Sequence, residues 1–386
     1  MSEWETAKLG DVAKIDRNTV NPHDLPGSTY YLGLEHIARG GGITGSSTVG
    51  DAQLTSNKFQ FDARHILYGK LRPNLAKVAS PTAHGVCSTD ILPILPTERL
   101  NRRYLLHCLR QPSMVSFASS RASGANLPRL SPTELSAFVI PLPTLEEQHR
   151  IVSILDEADA IRTKRRAQLA HLDELPQATL RDLLGHPSIW PSKWRVGTIA
   201  DIATSIQYGS SAKSGTEGAW PILRMGNLDD NGRIDTTDLK YTDLSEKEVE
   251  KCTLQSGDLL FNRTNSREKV GKSAVWRSEE PMAFAGYLIR LRLLEGYSTE
   301  YLAAFLNGPA GRAIRLKAAK SAVNQANISA SQLREIELPL PPVDRQQWFA
   351  ERVAAIRAER DRVAKALDAD EELFAALQHR AFRGEL

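Results

Sequence analysis

The feature that most constrains this chain is an internal duplication with a period of almost two hundred residues. A tyrosine-led apolar segment followed by an apolar–Pro–Leu–Pro string occurs in both halves, and Pro141 and Pro339 of the two strings lie 198 positions apart. Trp4 and Trp194 begin related segments that are 190 positions apart. Because this period is far too long for a solenoid, each copy is predicted to be a globular domain followed by a helix.

Length and composition also favour two soluble domains. A chain of 386 residues exceeds the size at which a single core normally stops growing. It is 41% hydrophobic and 25% charged, and it contains neither an apolar run long enough to span a membrane nor an N-terminal signal peptide. The three cysteines are too widely spaced for a zinc site or a disulfide framework, which predicts a cytoplasmic protein. They are Cys87, Cys108 and Cys252.

The globular copies have the pattern of an α+β fold. Short β-branched and aromatic segments alternate with Gly, Asn, Asp and Pro about every ten residues, which indicates mixed but mainly antiparallel sheets. Apolar residues at helical spacing predict short helices within 101–113 and 299–314. The glycine tract at 39–42 is predicted to be a flexible surface loop.

Each copy ends in a long helix with a coiled-coil seam, in which mainly apolar residues recur at spacings of four and three. A few seam positions are charged. In the second copy these positions are Phe349, Val353, Ile356, Arg360, Val363, Leu367, Asp370, Phe374 and Leu377. In the first copy they are Ile151, Leu155, Ala158, Arg162, Arg165, Leu169 and Leu172. We expect an antiparallel intramolecular pair with a pseudo-two-fold axis and a seam about 45 Å long. The alternative is that the helices only dimerise two chains.

The ends of both long helices carry sequence signals. Thr144 with Glu147, and Asp344 with Gln347, have the spacing of a capping box. Pro176 is predicted to end the first long helix, since proline breaks the helical hydrogen-bond ladder.

Basic and amide side chains cluster in matching loops of the two copies. Arginine and lysine neutralise phosphates or bind guanine, while asparagine pairs with adenine, so these loops are predicted to contact DNA. The alternative is ordinary solvated surface. In the first copy the residues are Lys70, Arg72, Asn74, Lys77, Arg121, Asn126 and Arg129. In the second copy they are Arg224, Asn227, Arg263, Asn265, Arg267, Lys269, Lys272, Lys320, Asn324 and Asn327.

The chain shows no catalytic or metal-binding pattern. Residues 271–273 resemble the end of a phosphate-binding loop but lack the earlier glycine of that motif. Asp258 and Glu268 lack the spacing of a metal-dependent nuclease, and no methyl-donor motif occurs. Three isolated histidines have no ligand or triad partner evident in the sequence: His65, His84 and His107.

Over its whole length the chain resembles the specificity subunit of type I restriction-modification systems. The resemblance is carried by YLGLEHI at 31–37, KLRPNLAKVA at 70–79, IPLPTLEEQ at 140–148, LQHRAFRGEL at 377–386 and the duplication itself. Two positions depart from a strict repeat: His65 stands where the second copy has Asp258, and 343–346 diverges from 145–148.

The resemblance implies a division into four segments: target recognition domains at 1–143 and 190–341, and helical spacer regions at 144–189 and 342–386. It implies that the chain is non-catalytic and that it reads a bipartite, asymmetric target in double-stranded DNA, with one domain for each half-site. It also implies partners, namely two methylase subunits and, for cleavage, restriction subunits. The methyl donor and ATP would then belong to those partners, and this chain would hold no cofactor. The alternative is a self-associating structural or regulatory DNA-binding protein that acts without a methylase.

Overall fold

The structure, a computed structural model, describes residues 4–322 and 325–386. The chain forms two compact units. The first unit contains residues 1–165 and 366–386, and the second unit contains residues 166–365. Each long helix therefore contributes one part of its length to each unit, and we call these helices the central helix, Leu145–Leu184, and the C-terminal helix, Val343–Ala381.

The first unit is built from three sheets and short helices. Its four-stranded antiparallel sheet has the order Ala13–Ile15, Ile91–Pro96, Ile66–Gly69, Val78–Ala79. A five-stranded sheet has the order Thr19–Val20, Lys58–Phe61, Gly85–Cys87, Tyr30–Leu32, Ser47–Thr48, and a two-stranded sheet pairs Thr6–Lys8 with Val139–Pro141. The helices are Leu9–Val12, Arg102–Leu109, Pro112–Arg121 and Pro132–Ser136, with 3₁₀ turns at Pro22–Asp24, Leu34–His36 and Pro73–Leu75.

The second unit repeats this plan. Its four-stranded sheet has the order Ala203–Tyr208, Leu288–Leu293, Leu259–Asn262, Ser273–Val275, and its two-stranded sheet pairs Arg195–Thr198 with Glu337–Leu340. Two three-stranded sheets have the orders Lys240–Thr242, Trp220–Leu223, Ala283–Phe284 and Thr264–Asn265, Gln325–Asn327, Lys320–Ala322. The short helices are Trp190–Lys193, Ile199–Ile202, Glu246–Cys252, Thr299–Asn307, Pro309–Ala318 and Ala330–Arg334, with 3₁₀ turns at Pro187–Ile189 and Met225–Asn227.

The α+β prediction is confirmed, since nearly all described strand pairs are antiparallel. The parallel pairs join Tyr30–Leu32 to Gly85–Cys87 and Trp220–Leu223 to Ala283–Phe284. The glycine tract at 39–42 forms a tight turn in which Gly40, Gly41 and Gly42 all have positive φ. Glycine adopts that backbone region without steric cost, which accounts for the tract.

The duplication extends to individual buried hydrogen bonds. The hydroxyl of Tyr104 donates to the carbonyl of Pro141 at 3.0 Å, and that of Tyr301 donates to Pro339 at 2.7 Å. Both rings are almost fully buried, so each hydroxyl needs this partner. In each copy the tyrosine and the Pro–Leu–Pro string therefore repeat together, because they are hydrogen-bonded to each other.

The glutamine that closes the string IPLPTLEEQ has an equally specific role. Gln148 and Gln346 are both fully buried, and each amide N–H donates to a proline carbonyl five residues upstream at 2.9 Å. The amide oxygen of each accepts the backbone N–H of the residue before the tyrosine helix, from Asn101 at 2.7 Å and from Ser298 at 3.2 Å. Each glutamine thus fixes the start of a long helix to its own domain.

Two of the predicted helix-end signals differ from the structure. The central helix continues through Pro176 to Leu184. The proline removes the hydrogen bond to Leu172, but Leu180 and Leu184 beyond it lie in the core of the second unit, and this burial outweighs a cost of about 3 kcal/mol. Gly185, with φ +73°, ends the helix as a left-handed C-terminal residue.

The predicted capping boxes are also only partly formed. Thr144 Oγ1 accepts the Glu147 N–H at 3.3 Å, but the Glu147 carboxylate binds Arg150 instead of returning to the cap. In the C-terminal helix the first turn begins at Val343, so Asp344 lies inside the helix and cannot cap it. Pro342 accepts the first backbone bonds there.

The seam positions pack unequally. Ile151 and Leu155 are fully buried in the core of the first unit, and Phe349 is fully buried in that of the second. Leu172, Val363 and Phe374 are also buried. The seam pattern predicts burial of Leu155, Leu169, Val353 and Leu367, but of these Leu169, Val353 and Leu367 are only half-buried, because two helices alone leave their flanks exposed to water. Ile356 is half-buried as well. Ala158 and Leu377 are half-buried and pack against the first core.

Arginines within the seam pair with acids on the facing helix. In the first unit, Arg162 binds Glu371 and Arg165 binds Asp370, both at 2.6 Å. Residue numbers therefore rise along one helix as they fall along the other. The Arg162 guanidinium also lies 3.5 Å from the centre of the Phe374 ring. In the second unit, Arg360 of the C-terminal helix binds Asp173 of the central helix at 2.7 Å. The predicted antiparallel pairing is confirmed in these contacts.

Ion pairs fix each domain to the long helices. In the first unit, Arg103 of the domain binds Asp156 of the central helix at 2.6 Å, and His107 binds the same carboxylate at 2.6 Å. In the second unit, Arg233 of the domain binds Asp173 of the central helix at 3.0 Å, and Glu300 binds Arg357 of the C-terminal helix at 3.3 Å.

The contact that Asp156 makes in the first unit is predicted to be sensitive to acid. Burial acts to raise the pKa of Asp156, but the hydrogen bonds from His107 and Arg103 outweigh it and lower the pKa to about 2. A carboxyl with a lowered folded pKa stabilises the fold above its unfolded pKa and loses that contribution as the pH falls through the folded pKa. The window is therefore about pH 4 to about pH 2.

We expect Asp156→Asn to lower the unfolding midpoint of the first unit at neutral pH and to flatten its dependence on pH within that window. Denaturant unfolding at a series of pH values measures both effects. Asp368→Asn on the same unit is the matched control, because Asp368 is exposed on the C-terminal helix. Equal acid dependence in Asp156→Asn and the unmodified chain would contradict the assignment.

Candidate nucleic-acid interface

The structure brings together the two predicted DNA-binding loops of the first unit. The backbone N–H of Leu130 donates to the carbonyl of Lys70 at 2.9 Å, and the N–H of Arg72 donates to Pro128 at 2.8 Å. The loops are thereby joined into one surface, although they are about fifty residues apart in sequence. The side chains exposed on it are Arg72, Asn74, Arg121, Asn126 and Arg129, and Lys70 is half-buried.

Backbone strain marks the same surface. Arg72 and Ala76, which flank the turn Pro73–Leu75, have φ of +52° and +48°. Residues with a Cβ rarely adopt this left-handed region, and such positions concentrate at functional sites. The turn therefore holds the exposed side chains of Arg72 and Asn74 in a fixed arrangement.

The second unit forms the equivalent surface. The N–H of Ile328 donates to the carbonyl of Arg263 at 2.9 Å, and strand Thr264–Asn265 pairs with Gln325–Asn327. Arg267 and Lys269 are exposed in the loop that follows. Asn324 lies outside the described residues, and only the backbone of Lys320 is described.

A basic cleft of about 990 Å³ lies beside this surface in the second unit. Six predicted residues line it: Arg224, Asn227, Arg263, Asn265, Lys269 and Lys272. Lys213 and the half-exposed Tyr287 also line it, and neither carries a motif that sequence reasoning could use. The cleft collects five cations from segments far apart in the chain and two carboxylates, those of Asp235 and Asp238. Its lining therefore has an excess of positive charge, which suits a polyanion.

Arg263 is held by three contacts within the second unit. Its guanidinium lies 4.8 Å from the ring centre of Tyr208, and its Nη1 donates to the carbonyl of Gly286 at 3.3 Å. Its Nη2 donates to Asn327 Oδ1 at 3.4 Å. A planar guanidinium fixed in this way loses little conformational entropy on binding, which suits it to bidentate recognition of a base.

Three predicted contact residues also serve the protein fold. Lys77 Nζ donates to the carbonyl of Leu34 at 2.6 Å, and Lys272 pairs with Asp230. Asn227 is buried, and its amide closes its own 3₁₀ turn by accepting the Arg224 N–H at 2.8 Å. These side chains make contacts within the protein that support the loops, and their assignment as DNA contacts stays a prediction.

Other predicted cations have acidic neighbours on the surface. Arg121 lies 3.7 Å from Glu134, and Arg224 lies 3.1 Å from Asp238. Exposed pairs of this kind contribute little to stability, so these cations are free to exchange partners when a phosphate approaches.

The two sequence patterns set aside as decoys have structural roles. Gly271, with φ +79°, packs against the buried Arg315, and Ser273 is fully buried. Asp258 is almost fully buried and binds Arg292 at 2.6 Å. In the first unit its counterpart His65 occupies the same turn and lies 2.9 Å from Asp62, so both residues stabilise a turn.

Of the three histidines, His65 and His107 are buried with acidic partners, whereas His84 lines a polar cleft of the first unit. Among residues 4–322 and 325–386, no cluster of three or more His, Cys, Asp or Glu side chains could hold a metal ion. In that described part of the chain, no helix has the length and apolar character needed to cross a membrane.

Fold and site together define a duplicated protein with one basic loop surface in each repeat. Comparison with known families gives this class a name. The family model for the type I restriction modification DNA specificity domain matches residues 1–171 and 191–364. The chain belongs to this family.

Individual relatives agree with this result. The chain is 28% identical over 311 residues to the type I restriction enzyme EcoKI specificity subunit of Escherichia coli K12, covering 75% of this chain and 67% of that subunit. It is 31% identical over 184 residues to the EcoDI specificity subunit of Escherichia coli, covering 46% of this chain but only 41% of that protein.

A solved structure shows that the fold is shared. The type I restriction-modification S subunit from M. genitalium is 16% identical, with 98% of this chain and 96% of that chain covered and a TM-score of 0.60.

Proposed function

We propose that this chain is the non-catalytic DNA-specificity subunit of a type I restriction-modification complex. It reads a bipartite, asymmetric target in double-stranded DNA, with one domain for each half-site. The observation that carries the proposal is that each unit has an equivalent loop surface. Within each surface, matching backbone bonds join the loops, at Lys70 in the first unit and at Arg263 in the second, but the side chains differ. Equivalent frames with different side chains suit the reading of two different short sequences.

The proposal assigns DNA reading to 1–143 and 190–341 and partner docking to the helical regions 144–189 and 342–386. Two methylase subunits would dock on these helices, and restriction subunits would join the complex for cleavage. Large apolar side chains exposed on the helices support a protein-docking role. They include Ile161 at 48% exposure and Leu373 at 54%.

The chemistry of the complex would belong to the partners, which would bind the methyl donor and ATP. We place the complex in the cytoplasm, where its DNA target lies and where the three free cysteines of this chain stay reduced. Family membership disfavours the alternative of a self-associating DNA-binding protein that acts without a methylase.

Methyl transfer to duplex DNA tests the proposal. The full chain, a candidate methylase and their mixture are each incubated with a labelled methyl donor and genomic DNA. We expect transfer only in the mixture, because this chain supplies recognition and the methylase supplies chemistry. Transfer by this chain alone, or sequence-specific transfer by the methylase alone, would contradict the assignment.

A further inference from the structure

The loop surface of the first unit is organised around one backbone junction. The N–H of Lys70 donates to the carbonyl of Asp90 at 2.9 Å, while the carbonyl of Lys70 accepts the N–H of Leu130 at 2.9 Å. The next residue, Leu71, forms a β-bridge with Arg129. Three segments that are remote in sequence therefore place Lys70, Asp90 and Arg129 side by side.

The second unit repeats this junction bond for bond. The N–H of Arg263 donates to the carbonyl of Tyr287 at 3.0 Å, and the carbonyl of Arg263 accepts the N–H of Ile328. The next residue, Thr264, pairs with Asn327. Arg263, Tyr287 and Asn327 thus occupy the positions that Lys70, Asp90 and Arg129 occupy in the first unit.

In the first unit the side chains at all three positions interact: Asp90 Oδ1 lies 3.2 Å from Arg129 Nε and 3.8 Å from Lys70 Nζ. In the second unit, Arg263 Nη2 donates to Asn327 Oδ1, while Tyr287 is 54% exposed. The backbone arrangement is the same, and a cation occupies the first position in both units, but the hydrogen-bonding groups at the other two positions differ.

We propose that these triplets, 70/90/129 and 263/287/327, are the specificity-determining positions of the two half-site readers. This inference rests on the proposed function and deepens it. Asp90 and Tyr287 are the new members, since neither is basic or amide and neither follows a sequence motif. The shared frame fixes where three side chains meet the DNA, and the residue types fix which bases they accept.

The chemistry of each triplet limits the bases that it can read. Lys70, Arg129 and Arg263 offer donors suited to guanine, and Asn327 suits adenine. The carboxylate of Asp90 repels phosphate, so its place on a DNA surface is explained by acceptance of an amino group from cytosine or adenine. Tyr287 has an exposed ring able to contact the thymine methyl group or stack on a base.

Grafting one triplet onto the other unit tests the inference. The full chain carrying Lys70→Arg, Asp90→Tyr and Arg129→Asn is combined with its methylase and used to select from a randomised duplex DNA library. We expect a shift of about 5- to 150-fold in base preference within the first half-site, as one good base contact provides. The second half-site and the gap should remain unchanged.

A matched control exchanges neighbouring loop residues outside the triplet. Arg72→Asn with Asn74→Arg introduces the residues that the second copy has at Asn265 and Arg267. We expect this pair to change affinity for all sequences while the preferred bases stay the same. An equal change of preference in the control, or none in the graft, would overturn the inference.

A single substitution and the unmodified complex test the inference even if the triple graft does not fold. Asp90→Asn retains size and most contacts, and it should lose discrimination at one base pair of the first half-site even if the triple graft folds poorly. Retention of full discrimination by Asp90→Asn, with folding unchanged by circular dichroism, would show that Asp90 only neutralises its two cations. If the unmodified complex selects no sequence at all, it is the proposed function that fails, not the triplet.

Discussion

Replacing Phe349 by alanine is expected to lower the free energy of unfolding of the second unit by about 3–5 kcal/mol. Phe349 is fully buried, and its ring meets that of Tyr301 edge-on with 6.1 Å between ring centres. The residue joins the C-terminal helix to the core of the second unit. Its removal leaves a cavity among side chains that belong to both a domain and a helix, where the backbone has little freedom to collapse.

Hydrogen exchange of the full chain measures this effect separately for each unit. Protection should fall within 166–365, while the core of the first unit should keep its protection. Trp348→Ala is the matched control, because the neighbouring Trp348 is 37% exposed and its ring centre lies 5.2 Å from the guanidinium of Arg352. We expect the control to lower the free energy of unfolding by less than about 1 kcal/mol. Equal losses in the two variants would show that burial of Phe349 does not stabilise the second unit.

Replacing Arg263 and Arg267 together by alanine is expected to relax or abolish recognition of the second half-site alone. Arg263 is held rigidly between Tyr208 and Asn327, and Arg267 is exposed on the adjoining loop. A side chain that binds a base edge contributes about 1–3 kcal/mol, which is roughly a 5- to 150-fold loss in affinity for the preferred base. A phosphate contact would instead weaken all sequences alike and reduce the salt dependence of binding.

Competition binding with duplexes altered in one half-site at a time, at two salt concentrations, separates these effects. Lys70→Ala with Arg72→Ala is the reciprocal variant, and it should affect the first half-site only. A changed preference in the first half-site of the Arg263→Ala, Arg267→Ala variant would refute the assignment of one reader to each repeat.

Much of the architecture could be predicted from the sequence because it rests on patterns that repeat locally. The tyrosine and the Pro–Leu–Pro string recur at a fixed distance, and the structure shows that they bind each other through Tyr104 and Tyr301. The coiled-coil seam followed from apolar periodicity, which depends on local geometry. The antiparallel pairing followed from the pseudo-two-fold symmetry expected of two equivalent copies.

The failures came where distant contacts override local preference. Pro176 does not end its helix, because the residues beyond it are held by the core of the second unit.

The candidate site could be predicted only in part for the same reason. Clusters of basic residues indicated the loops at 70–77 and 263–272. Asp90 and Tyr287 carry no such signal, and their role depends on backbone bonds to Lys70 and Arg263 some twenty residues away. The equivalence of Asp90 and Tyr287 becomes visible only once the backbone bonds of the two copies are known.

Mapping of methylated positions in cells with and without this chain, in the presence of its methylase, tests the central claim most directly. The account predicts that methylation at a two-part, asymmetric motif interrupted by a fixed gap appears only when the chain is present. It also predicts that the Arg263→Ala, Arg267→Ala variant alters only one part of that motif. A contiguous or perfectly palindromic motif, or an unchanged pattern when the chain is absent, would contradict the account.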